Sequence, residues 1–176
     1  QGRLLQRLPV YIQLFRKQWG QAAAAPAPEI EALHQPFLKL SRQIDEFLAE
    51  LINHRLAKEH SLRVVRLLSR QNLINSLEEN VYQLTLQSYA GRWSPHMDVF
   101  VHNVVEGLDT LLLTTVAAGA AGNEDEQQIL AALTADKGKV MDNLRTKYLS
   151  VQQSLEAHEK PVVFFITEQF ENTVWL

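Results

Sequence analysis

The sequence contains no cysteine and few residues that interrupt helices, with 7 glycines and 6 prolines in 176 residues. The lack of cysteine excludes disulfides, thiolate metal sites and cysteine nucleophiles, and it fits a reducing compartment. Runs of alternating polar and apolar residues are missing, as are Asn-Gly and Asp-Gly hairpin turns. These absences, with helical spacing along the whole chain, predict an all-α fold.

Long apolar runs and a basic excess are also absent. The longest apolar run, at 110–122, has 13 residues, whereas a membrane-spanning helix needs about 20. The net charge is −3, which argues against nucleic-acid binding. We therefore expect no membrane span within the chain and no nucleic-acid partner, while 46% hydrophobic residues suffice for a globular core.

Catalytic and cofactor motifs are missing as well. The chain has no His-x-x-x-His or His-Glu-x-x-His pair, no Gly-x-Ser-x-Gly nucleophile turn and no glycine-rich phosphate loop. We predict no catalytic residue, no cofactor, no metal ligand and no small-molecule site, and hence a protein that is not an enzyme.

Proline, glycine and capping residues divide the chain into predicted helices. The first break, near 21–28, combines two prolines with the acidic helix start of Glu29 and Glu31. Gly91 and Ser94-Pro95 make a second break, and further breaks lie at 117–128 and at Pro161. The predicted helices are 2–20, 29–68, 71–90, 95–119, 124–158 and 161–176.

The break between the second and third predicted helices is inferred only from a change in the direction of the apolar face, since no glycine or proline marks it. Val64, Leu67 and Leu68 share one helical face, whereas the apolar residues from Leu73 to Leu84 share a face nearly opposite. A single straight helix in one environment would not show both faces. We therefore predict a bend within 69–72.

Two segments of the chain are similar to each other. Residues 77–82 (LEENVY) and 170–175 (FENTVW) share a large apolar residue, Glu, two polar residues, Val and an aromatic residue. Upstream, 43–51 is similar to 140–149 in the same order. These matches predict two tandem three-helix repeats, at 1–90 with a linker near 21–28 and at 91–176.

The arrangement resembles the PhoU family of phosphate-uptake regulators, and most closely the PhoU-like cytoplasmic domains of bacterial sodium/phosphate cotransporters. Residues 117–149, with a small-residue break, an acidic helix start and an Asp-x-Leu pattern, and residues 161–176 carry the resemblance. It implies an antiparallel bundle of two three-helix repeats. It also implies a Glu-x-x-x-Asp metal motif in the third helix of each repeat, but Tyr82 and Trp175 stand four residues after Glu78 and Glu171.

The stretch SLEENVYQL, residues 76–84, raises the question whether its glutamates do chemistry. Helical spacing directs Glu79 into solvent and places Glu78 at the edge of the buried face, where pairing with Arg or Lys is favoured over metal binding. Asn80 is predicted to point toward the core, either as a satisfied interhelical hydrogen bond or as a residue that fixes helix register.

Other polar and aromatic clusters allow two interpretations each. A stripe on the predicted helix 95–119 is a solvated face or a metal site; its members are Asp98, His102, Glu106 and Asp109. Arg63, Arg66 and Arg70 are solvated arginines or a contact for an acidic partner or lipid. In the last helix Val163, Phe170 and Val174 are predicted to face the core, and Phe165 to point away toward a possible subunit contact.

We expect a non-enzymatic cytoplasmic regulatory or interaction domain of a sodium-coupled phosphate transporter, or a phosphate-uptake regulator. Its expected partners are the membrane-embedded transporter part or another subunit, with homo-oligomerisation possible, at the cytoplasmic face of the inner membrane. Because both termini lack the usual start and stop features, we expect a piece of a longer protein. The alternatives are a metal-binding sensor or metal-dependent enzyme that uses Glu78, Glu171 and the polar stripe of the predicted helix 95–119, and a purely structural oligomerisation module.

Overall fold

The computed structural model is all-helical, and the described residues contain no β-strand. The structure describes residues 1–20, 28–54, 57–87, 92–119, 124–135, 142–143, 146–147, 150 and 154–175. The prediction of an all-α fold is confirmed. The helices are α1 (Gly2–Leu5), α2 (Leu8–Gln18), α3 (Pro28–Asn53), α4 (Lys58–Leu86), α5 (Pro95–Ala118), α6 (Glu124–Ala135) and α7 (Lys160–Trp175).

Several predicted helix starts are confirmed. Ser94 is the N-cap of α5, and its side chain accepts a hydrogen bond from the backbone N–H of Met97 at 3.2 Å. Glu29 and Glu31 lie in the first turn of α3, where negative charge interacts favourably with the helix dipole. The last helix begins at Lys160, next to Pro161. The proposed cap Gly91 and most of the proposed linker at 21–28 lie outside the described residues.

The first predicted helix, 2–20, is divided into α1 and α2 by a turn at Gln6 and Arg7. Pro9 stands in the first turn of α2. Its nitrogen carries no hydrogen, so it cannot continue the hydrogen-bond ladder back to Leu5. The chain therefore ends α1 and starts again.

The predicted bend within 69–72 is wrong, because α4 runs unbroken through these residues. The phase change came from counting Leu67 and Leu73 as core, although they are 40% and 43% exposed. The true buried face includes polar residues at core spacing, and with these counted it keeps one phase. Its members are Val64, Gln71, Ile74, Glu78, Val81, Leu84 and Thr85.

Two other helix boundaries also differ from the prediction. The predicted helix 29–68 is interrupted, since α3 ends at Asn53 and α4 begins at Lys58. The predicted helix 124–158 does not reach its expected end, because 154–159 form turns and irregular backbone. Residues 136–141 of that predicted helix lie outside the described residues.

A common hydrophobic cluster joins residues of α1, α2, α3, α4, α5 and α7. α5 is central, since it packs against α1, α2, α6 and α7. α3 and α4 run antiparallel, because Glu31, His34 and Ser41 along α3 contact Tyr82, Glu78 and Gln71 along α4 in the reverse order. These contacts position the polar cluster described below.

α5 is also the helix that fits a membrane span by length and composition, with 24 residues and a mean hydropathy of 1.3 over its most apolar window. A third of that window is buried inside the structure. Buried helices of soluble proteins meet the same criterion, so the match is weak evidence for a membrane segment.

Candidate functional site

A buried carboxylate, Glu78, lies where three helices meet and is 1% exposed. α4 directs it inward because residue 78 continues the buried face between Ile74 and Val81. Tyr11 of α2 donates its hydroxyl hydrogen bond to Oε1 of Glu78. Nδ1 of His34 in α3 lies 2.8 Å from the same oxygen. One carboxylate oxygen thus links α2, α3 and α4.

Burial sets the acid–base properties of this cluster. Loss of hydration raises the pKa of Glu78, and the hydrogen bonds with Tyr11 and His34 oppose that rise without cancelling it. The pKa of Tyr11 is raised by burial and then by its hydrogen bond to Glu78. Tyr11 therefore remains a hydrogen-bond donor at physiological pH, whereas Glu78 takes up a proton more readily than an exposed glutamate does.

Tyr82 covers the cluster on one side. Its ring stacks on that of His34, with centroids 3.7 Å apart and planes 6° from parallel, and it meets the ring of Tyr11 edge-on at 6.3 Å. Its hydroxyl donates to Oε2 of Glu31 at 3.2 Å. Tyr82, four residues after Glu78, therefore contributes an aromatic ring that packs on His34.

The structure confirms one of the three predictions for residues 78–80. Glu79 is exposed, as predicted. Glu78 is fully buried rather than at an edge, and its partners are Tyr11 and His34 instead of Arg or Lys. Asn80 is half-buried and lines a cleft between α3 and α4 instead of facing the core. Both errors follow from centring the buried face on Leu73 and Leu77.

A second polar layer lies farther along the same helix pair. Nε2 of Gln71 donates to Oγ of Ser41 and to Oδ1 of Asn75, both at 3.0 Å, and Ser41 donates to Asn75 at 2.7 Å. Oε1 of Gln71 is buried and has no partner within the described part of the chain. Polar layers of this kind favour one register between paired helices over others.

Sequence reasoning missed Tyr11 and His34. His34 stands at core spacing between Ile30 and Phe37, four residues after one and three before the other. A polar residue at such a position needs a partner, because burying it unsatisfied costs about 1–3 kcal/mol. Matching inward polar residues on neighbouring helices would have paired His34 with Glu78.

The polar stripe of α5 packs beside α2. Nε1 of Trp19 donates to Oδ1 of Asp98 at 3.0 Å. The guanidinium of Arg16 lies 3.0 Å from Glu106 and 3.2 Å from Asp109. The three acids are thus paired with side chains of α2 and of Trp19, which follows its end, and their surroundings are those of a helix–helix contact at the protein surface.

The described residues contain no group of three or more His, Asp or Glu side chains that could hold a metal ion. His102 is exposed beside a cleft of about 590 Å³ between α2 and α5. In the second predicted repeat, Glu171 is half-buried and Trp175 is 62% exposed. The metal-binding alternative combined Glu78 and Glu171 with the polar stripe of α5. The two glutamates stand in different environments, and the three acids of the stripe already have partners.

Another buried carboxylate, Glu159, was not anticipated. Its oxygens accept hydrogen bonds from the backbone N–H of Ser94 at 2.6 Å, the Ser94 hydroxyl at 3.0 Å and the backbone N–H of Glu156 at 3.0 Å. Burial raises the pKa of Glu159, but these hydrogen bonds outweigh it and leave the pKa below its usual value. Glu159 fastens the start of α7 to the start of α5.

The remaining predictions concern surface groups. Arg63, Arg66 and Arg70 are exposed, and Arg63 lies 3.4 Å from Glu59 of the preceding turn. In α7, the predicted core residues Val163, Phe170 and Val174 are confirmed as buried. The prediction for Phe165 is wrong, because it packs against the core while Phe164 is the exposed ring.

No family model matches the chain, and comparisons with curated proteins and with solved structures find no significant match. The resemblance to the PhoU family and the tandem repeat remain predictions from the sequence.

Proposed function

We propose that this chain is a non-enzymatic helical interaction domain that regulates a membrane-embedded transporter of phosphate from the cytoplasmic side. The observation that supports an interaction role is the outer part of the α3–α4 pair, which we call the α3–α4 arm (residues 45–54 and 57–69). None of the described residues 49–54 and 57–63 is buried. The arm therefore extends beyond the common core.

The arm exposes large apolar side chains that the fold leaves uncovered. Phe47 is 58% exposed, and Ile52, Leu62 and Val65 are also exposed. Within the arm only Leu48 and Val64 are buried. Large apolar side chains left exposed among polar neighbours are typical of protein contact surfaces.

The polar interior supports a structural rather than catalytic use of the acidic residues. Glu78 is engaged by Tyr11 and His34, and Glu159 by Ser94 and a backbone N–H. Each acid joins separate helices. The proposed role in phosphate transport rests on the resemblance of residues 117–149 and 161–176 to the PhoU family. The proposed location at the inner membrane rests on the same resemblance.

Photocrosslinking tests the proposal. A photoreactive phenylalanine analogue at position 47 or 65 of the full-length protein in cells should form a crosslink to a membrane-embedded protein. The control position is Val99 of α5, which is 61% exposed but outside the arm, and it should give no such product. Crosslinks between two copies of the chain would favour the oligomerisation module, and an absence of arm-specific products would contradict the proposal.

Phosphate transport provides the second measurement. Phe47→Glu should alter uptake of radioactive phosphate in the same cells, whereas Val99→Glu should not, provided that circular dichroism shows both variants folded. If arm-specific crosslinks form but phosphate uptake is unchanged, the chain is an interaction domain of some other system.

A further inference from the structure

We propose that a second site, distinct from the α3–α4 arm, binds the aliphatic chain of a straight-chain carboxylic acid. The site is a pocket of about 500 Å³, lined by residues of α1, α4, α5, α6 and α7. This volume lies within the range of about 300–1,000 Å³ that is typical of small-molecule sites. We call it the α4–α6 pocket.

The lining of the α4–α6 pocket is mainly aliphatic. Leucine, isoleucine, valine and alanine side chains come from all of the contributing helices, among them Leu5, Ile74, Leu112 and Val174. Several of these side chains are buried against the protein on their other sides. An aliphatic chain that entered would exchange water for hydrocarbon surroundings, which is favourable in proportion to its area.

The neutral polar groups in the lining already have partners. Thr115 donates to the carbonyl of Leu111 at 2.7 Å and Thr173 to that of Gln169 at 2.8 Å. Nε2 of Gln127 donates to the carbonyl of Ala118 at 3.3 Å. Because these groups are engaged by the helix backbone, they do not require a polar ligand in the body of the pocket.

Among the described residues, Arg70 is the one charged residue that lines the pocket. It is exposed, so it stands at the opening, next to the 43% exposed Leu73. Within the described residues no acidic side chain forms an ion pair with Arg70, in contrast to Arg16, which is paired with Glu106 and Asp109 beside the α2–α5 cleft. A guanidinium group is suited to bind a carboxylate through two parallel hydrogen bonds.

The apolar lining and the arginine at the opening together define the class of ligand that the pocket fits. An apolar interior accepts the hydrocarbon chain, and a single cation at the opening accepts one anionic head group. The cleft between α3 and α4 lacks this character, because Asp45, Glu78 and Glu79 line it beside Arg42. We therefore expect an alkanoate with its carboxylate at Arg70 and its chain directed between α4, α5 and α6.

Calorimetric titration of the purified chain with octanoate, decanoate and dodecanoate, all below micelle-forming concentrations, tests the site. Binding should saturate at one molecule per chain. The dissociation constant should fall about fourfold for each added methylene until the pocket is full. No saturable binding, or affinity that does not depend on chain length, would overturn the proposal.

Two matched pairs of variants locate the site. Arg70→Gln should remove the preference for decanoate over decan-1-ol, expected to be about tenfold in the wild type, while Arg66→Gln, an exposed arginine one turn earlier, should keep it. Ala131→Phe should fill the pocket and abolish binding, whereas Ala132→Phe at the next exposed position should not. Both alanines are exposed, so we expect both variants to fold. Circular dichroism checks that they do. Equal effects within either pair would overturn the assignment.

Discussion

Nδ1 of His34 lies 2.8 Å from Oε1 of Glu78, and the hydroxyl of Tyr11 donates to that same oxygen. The three side chains come from α3, α4 and α2, and each is buried. Because both groups share one carboxylate oxygen away from water, removing any member should leave another polar group unsatisfied. This relationship leads to the first two predictions.

Tyr11→Phe should lower the free energy of unfolding by about 1.5–3 kcal/mol, because a hydrogen bond to a buried carboxylate is lost. Urea denaturation at neutral pH measures the change. Tyr82→Phe is the matched control, since its hydroxyl bonds to the exposed Glu31, and it should change stability by less than about 0.5 kcal/mol. Equal losses of unfolding free energy in the two variants would contradict a specific contribution of the Tyr11–Glu78 hydrogen bond to stability.

Glu78→Gln should change how stability depends on pH. The folded protein has a raised pKa at Glu78, so it binds a proton more readily than the unfolded chain does. This contribution to stability is complete below the unfolded pKa and is lost as pH rises through the folded pKa. The wild type should therefore lose stability relative to Glu78→Gln as pH increases above about 4.5, with a slope of at most about 1.4 kcal/mol per pH unit. A difference that is flat from pH 4 to pH 8 would contradict the raised pKa.

Glu159→Gln should show the opposite pH dependence. The pKa of Glu159 is lowered in the folded protein, so its contribution is present above the unfolded pKa and is lost as pH falls through the folded pKa. At neutral pH the variant should be less stable by about 2 kcal/mol, because an amide nitrogen cannot accept the hydrogen bonds that a carboxylate oxygen accepts. The loss should shrink in acid. Glu156 contributes only its backbone N–H to these hydrogen bonds, and its side chain is exposed. Glu156→Gln should therefore have little effect at any pH.

Gln71→Leu should stabilise the protein by about 1 kcal/mol. Oε1 of Gln71 is buried without a partner among the described residues, and the cost of that desolvation disappears with the amide. Ser41 and Asn75 remain bonded to each other at 2.7 Å. Thermal unfolding of Gln71→Leu beside Asn72→Leu, an exposed neighbour, measures the effect; a destabilised Gln71→Leu would indicate that the polar layer is needed for the pairing of α3 and α4.

The helix content and several helix ends follow from local chemistry. Ser94 caps α5, Pro28 begins α3 and Pro161 lies in the first turn of α7, because a proline ring and a hydroxyl act on their own turn of backbone. The predicted bend at 69–72 failed for a different reason. Hydrophobic spacing counted Leu67 and Leu73 as core and placed Glu78 at the edge of the buried face. Only contacts with other helices make Gln71 and Glu78 core residues.

The amino-acid sequence by itself determined that this chain is helical, where several helices start and that Glu79 faces water, because these properties depend on neighbours within about one turn. The tertiary structure decided that Glu78 is a buried acceptor, that Tyr82 packs on His34 and that Arg70 stands at an apolar pocket. Each of these depends on contacts between residues far apart in the chain, with 67 positions separating Tyr11 from Glu78. The environment of a polar side chain in a bundle is set by the helices around it, and spacing along one helix does not reveal them.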